Sequence, residues 1–155
     1  MARMTAIRWG AVAGSLINLG IHLALTPDHL IEKRYIGVLF VIGSALLGLV
    51  VIGLSTDRDR PRTLAWLLGA AVNAAMLVAF VLSRTTGLPQ GYREPWASAP
   101  EDLLGLACVA LEVVFLLCVA ASLRPSPPAE VVPAGATPPP AGWRLPVHDR
   151  TAPLT

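Results

Sequence analysis

Residues 103–123 read LLGLACVALEVVFLLCVAASL, an apolar run interrupted by a single charged residue, Glu112, near its middle. A helix rises about 1.5 Å per residue, so about 20 apolar residues cross a hydrocarbon core of roughly 30 Å. The run is therefore long enough for a membrane span. A carboxylate at its centre costs at least a few kcal/mol against lipid, so it has to face the interior of a bundle. Working outward along the chain, three blocks of the same kind appear at about 9–25, 35–54 and 64–82, and none of them contains Asp, Glu, Lys or Arg. Four such blocks predict an all-α fold, an up-down antiparallel four-helix transmembrane bundle over residues 1–123.

The composition agrees. The chain is 54% hydrophobic and 14% charged, against roughly 25% charged in soluble globular domains. A net charge of +2 with no dense basic run argues against a nucleic-acid partner. Cys108 and Cys118, ten residues apart on one helix, stand about 15 Å apart along its axis, too far for a disulfide. They read as small buried hydrophobes. The first block has a basic flank in Arg3 and Arg8, but Asn18 and His22 interrupt it and TPDH is a poor cleavage site. It is expected to remain as an uncleaved span.

Basic residues near span ends set orientation. Arg3, Arg8, Arg58, Arg60, Arg62 and Arg124 fall on one side, and Lys33, Arg34, Arg84 and Arg93 on the other. The richer side predicts cytoplasmic termini in a multi-pass protein of the cell membrane. Trp9 and Trp66 then sit near the inner interface, and Tyr35, Tyr92 and Trp96 near the outer one. Residues 124–155, with RPSPPAEVVPAGATPPPAGW at their start, are too rich in proline for a helix and are expected to form a disordered cytoplasmic tail.

Polar residues inside the spans are the strongest functional signal. Gly10, Gly14, Asn18 and His22 recur every four residues and predict one stripe of the first helix, with the glycines allowing close helix packing. Asn18, Asn73 and Glu112 lie at a similar depth, about 12–15 Å from the outer ends of their spans, and His22 lies one turn further out. The two amides are suitable donors to the carboxylate. Asn18, His22, Asn73 and Glu112 thus predict an interior polar cluster, serving as an interhelical clamp or as a proton- or cation-binding site.

Two loops emerge on the same side as that cluster. In TPDHLIEKRY, Pro27 is expected to end the first span and Asp28 to cap a short interfacial helix carrying His29 and Glu32 as i,i+3 neighbours. His22, His29 and Glu32 are the candidate ligands for a divalent metal, because His-x-x-Glu can offer two donors to one ion. In SRTTGLPQGYREPW (83–96), Gly87 suits the left-handed residue after a helix and Pro89 blocks continuation. Ser98 or Pro100 is expected to begin the last helix, with Glu101 and Asp102 in its first turn. Arg84 is expected to pair with an acidic residue, Asp28 or Asp102 before Glu32, Glu94 or Glu101. Asp28, His29, Glu32, Arg84 and Asp102 then form the rim of an outer vestibule.

The pattern HLALTPDHLIEKRYIGVLF, LSRTTGLP and EPW…EDLL…LE resembles a family of small four-span membrane proteins of high-GC bacteria. In that family a His…Pro-(Asp/Glu)-His loop, a Ser-Arg-Thr-x-Gly-Leu-Pro loop and a Glu in the last span recur. The matching residues are His22, Pro27, Asp28, His29, Ser83, Arg84, Thr85, Gly87, Leu88, Pro89 and Glu112, within residues 10–123. The aromatic residues usual after the second His are replaced here by LIEKR. The resemblance implies the four-span architecture and marks residues, but no activity.

Three functions remain open on the sequence. The first is a binding or accessory subunit with a polar vestibule on its outer face. The second is a small proton- or cation-coupled transporter using Glu112, although no internal repeat is visible. The third is a metal- or haem-associated membrane redox protein. No motif names a catalytic set or a cofactor. The bilayer is the expected partner, with a homo-oligomer or a larger membrane complex as the expected assembly.

Overall fold

The structure is a computed structural model and describes residues 2–96 and 100–123. The proline-rich segment 124–155 and the side chains of Glu101 and Asp102 lie outside the described residues. The helices are α1 (Ala2–Glu32), α2 (Arg34–Ser55), α3 (Asp59–Arg84) and α4 (Pro100–Ser122), with a 3-10 turn at Pro89–Gly91. Among the described residues there is no strand. Each helix packs against its neighbours in sequence, and α4 closes the ring against α1. All four helices are long and apolar enough to cross a membrane.

The ring is held together by a narrow inner seam. Along α1 the buried positions are Ala11, Val12, Ser15, Asn18, His22 and Thr26, the three- and four-residue spacing of one helix face. Large apolar residues cover the outside instead: Ile31 is 86% exposed, Ile52 69%, Leu103 66% and Leu117 62%. A girdle of that size is an aggregation hazard in water and the expected surface in lipid.

The buried stripe corrects one expectation. Asn18 and His22 face inward, but the fully buried small residues beside them are Ala11 and Ser15, not Gly10 and Gly14. A Cβ on Gly10 would meet nothing within 4 Å, and one on Gly14 only Leu111, at 3.9 Å. Four-residue spacing drifts around a helix of 3.6 residues per turn, so 10 and 14 rotate off the face that 18 and 22 occupy.

The first loop also differs from expectation. Pro27 does not end α1, which runs unbroken to Glu32. Proline removes one backbone donor, and a neighbouring hydroxyl can supply the local helix with another bond. Here Thr26 Oγ1 donates to the His22 carbonyl over 2.7 Å. The predicted interfacial helix is therefore the continuation of α1, about 46 Å long in all. Lys33 alone, extended at φ −148° and ψ 102°, separates α1 from α2. So short a connection forces the two backbones together, and Gly37 marks the point of contact. A Cβ there would lie 2.7 Å from Cα of Leu30.

The two ends of the bundle are built differently. At the end where α1 and α3 begin, Ala11, Val12, Val50, Leu54, Ala65 and Phe115 form a packed apolar core. Trp66 and Phe115 stack across it with ring centroids 5.6 Å apart. Arg8 reaches Asp57 at 3.6 Å beside this core. At the opposite end the helices diverge around a cavity.

Candidate functional site

The cavity has a volume of about 760 Å³ and touches all four helices and the 88–95 loop. Its floor is set by His22, Cys108 and Glu112, and its mouth by Asp28, His29, Glu32, Arg84, Tyr92 and Glu94. Between them the walls are apolar, with Leu25, Ile36, Met76, Phe80 and Val109.

The floor is deeply buried. Asn18 is 1% exposed, Glu112 2%, Asn73 2% and His22 6%. His22 Nδ1 donates to the Asn18 carbonyl over 3.0 Å, which places that proton on Nδ1, and Cys108 Sγ lies 3.6 Å from the same nitrogen. The Asn18 amide interacts with the Glu112 carboxylate without reaching ordinary hydrogen-bond geometry, and Oε2 of Glu112 has no close partner among the described residues. Asn73 behaves differently from expectation. Its Nδ2 donates 2.8 Å to the Gly69 carbonyl of its own helix. A side chain one turn from a helical carbonyl reaches that acceptor locally, before any partner across the bundle.

The mouth is a continuous polar network. Arg84 is 8% exposed. Its Nη1 donates to Oε2 of Glu94 over 2.7 Å, and its guanidinium lies 3.7 Å above the Phe80 ring. Tyr92, 4% exposed, donates its hydroxyl proton to Oε1 of the same Glu94. His29 Nδ1 stands 3.4 Å from the Tyr92 hydroxyl and 3.7 Å from Oε2 of Glu32. Phe40 of α2 packs its ring against both histidines, 4.9 Å from His22 and 4.3 Å from His29.

The 83–96 stretch is thus both a helix stop and a wall of the cavity. Gly87 adopts φ +87° and donates 2.8 Å to the Leu82 carbonyl, which Thr85 also reaches. The Ser83 carbonyl accepts from the Glu94 amide at 3.0 Å, and the Thr85 carbonyl from Arg93. These bonds satisfy the last carbonyls of α3, which a helix end leaves open. Tyr35 Oη then ties the loop to α2 by donating to the Pro89 carbonyl over 2.5 Å.

Several expected roles shift. Arg84 pairs with Glu94 rather than with Asp28, and the side chain of Asp102 lies outside the described residues. Tyr92 is buried in the wall of the cavity. Of the candidate metal ligands, His29 and Glu32 come together with Glu94, all ligand atoms lying within 4.8 Å of one another. His22 is not in that group and sits at the floor. Phe40 and Cys108 had no polar signal in the sequence, and Tyr92 and Glu94 join the site only through the loop's tertiary path. No family model, no curated protein and no solved structure matches the chain.

Proposed function

We propose that this chain is a multi-pass membrane protein that binds a small molecule in the cavity, as a binding or accessory subunit with the cavity on the outer face. The observation that carries the reading is a cavity of about 760 Å³, within the range of small-molecule sites, with an unpartnered buried carboxylate oxygen at its floor. Apolar walls with a few convergent polar groups are the usual composition of such sites. The apolar core of Val50, Leu54, Ala65 and Phe115 fills the other end of the bundle, which favours binding over passage. The excess of arginines beside the packed end supports cytoplasmic termini and an outward cavity.

Native mass spectrometry of gently extracted protein tests the reading. Wild type is expected to carry a discrete small-molecule mass that Ala79→Phe, which projects a ring into the cavity, no longer retains. Equal retention by a folded Ala79→Phe, or the absence of any adduct beyond lipid and detergent, would overturn it.

A further inference from the structure

We infer that the cavity selects an apolar organic cation, an amine or quaternary ammonium, seated with its charge against Glu112; this rests on the cavity being a binding site. Three features agree on the sign of the charge. The first is the floor. Glu112 is 2% exposed, lines the cavity, and has an oxygen with no hydrogen-bond partner among the described residues. An ionised carboxylate only accepts, so beyond the Asn18 amide beside it the open oxygen lacks a donor or a cation. A buried charge without a counter-charge is strongly disfavoured, and a bound ammonium would provide one.

The second feature is the balance of charge along the described lining. Four carboxylates, Asp28, Glu32, Glu94 and Glu112, face one guanidinium, Arg84, and that guanidinium is already engaged by Glu94. Such a concave site concentrates cations and repels anions. The third feature is the walls. Phe40, Phe80 and Tyr92 line the space beside aliphatic residues, and aromatic faces attract organic cations. The Phe80 ring already holds the Arg84 guanidinium at 3.7 Å.

Other ligand classes fit less well. An anion would be placed next to Glu112. A neutral apolar molecule would offer the carboxylate neither a donor nor a counter-charge. A bare metal ion would leave the apolar walls unfilled, whereas an organic cation uses floor and walls together.

The test uses a pair of ions of matched shape and opposite charge, tetraphenylphosphonium and tetraphenylborate, with the full chain in lipid nanodiscs. The phosphonium is expected to bind saturably, at one per chain, and the borate not to. Glu112→Gln is expected to weaken phosphonium binding at least about tenfold. If Glu112→Gln does not fold, wild type still decides. Dicyclohexylcarbodiimide labelling of Glu112, mapped by peptide mass spectrometry, should be blocked by the phosphonium and not by the borate. Equal binding of both ions, no binding of the phosphonium, unchanged affinity in a folded Glu112→Gln, or unprotected Glu112 would overturn the cation assignment. Retention of a native adduct by wild type but not by Ala79→Phe would meanwhile leave the binding reading standing, and loss of that difference would remove both.

Discussion

Tyr92 is 4% exposed, donates to Glu94 and stands 3.4 Å from Nδ1 of His29. Burial, followed by the Glu94 carboxylate that accepts its proton, pushes the phenol well above its ordinary value. A tyrosine in the unfolded chain ionises near pH 10. Below that pH the phenol is protonated in both states and contributes no pH dependence. Above it the unfolded chain releases the proton while the folded protein keeps it, so stability falls as pH rises. Thermal unfolding between pH 9 and 11.5 should therefore show a steeper loss of Tm in wild type than in Tyr92→Phe; parallel curves would refute the linkage. The sequence made part of this site legible. Asn18, Asn73 and Glu112 stood out because a polar group in an apolar run has no cheap place to go. Tyr92 did not stand out, because an aromatic beside a span end reads equally well as an interfacial anchor, and Glu94 was one of several acidic candidates for Arg84. Only the path of the loop brings them under His29.

The apolar blocks located all four helices, closely for α2 and α4, while α1 and α3 run past their blocks into polar flanks. Pro27 reads as a stop, but α1 continues through it to Glu32, and Thr26 bonds back to the His22 carbonyl in the turn before it. The small-xxx-small pattern at Gly10 pointed to a helix contact, yet Gly10 meets nothing, whereas Gly37 lies against the Leu30 backbone beside the single-residue link at Lys33. These two glycines make a paired experiment. Gly37→Ala should destabilise by about 1–3 kcal/mol, since its methyl would overlap the Leu30 backbone. Gly10→Ala should be neutral or stabilising by up to about 1 kcal/mol, since its methyl meets nothing and alanine favours helix. Equal Tm values for the two variants would show that the α1–α2 approach is not tight.

At the scale of the whole molecule, the architecture was readable because the physics behind it is blunt. Four blocks of span length allow few arrangements, and short connections make them alternate in direction. The cavity was not readable in its dimensions, since it arises where four helices fail to meet, and no single segment carries that information. The proposed orientation rests on charge placement and can be checked directly. In a background without Cys108 and Cys118, a membrane-impermeant maleimide on intact cells should label Trp96→Cys and reach Arg58→Cys only after permeabilisation. Labelling of both from the same side would refute the alternating arrangement.

The one-residue corner at Lys33 bears on how such a chain is made. Synthesis at about 5–20 residues per second delivers α2 within a few seconds of α1. The corner carries Glu32, Lys33 and Arg34 in succession, with no slack to leave them behind while one helix enters the bilayer alone. With the termini cytoplasmic, as proposed above, this charged tip crosses the bilayer, and a one-residue link favours entry of α1 and α2 as a hairpin. The wall of the cavity built from α1 and α2 is therefore synthesised first, and α3 and α4 complete the cavity as they follow.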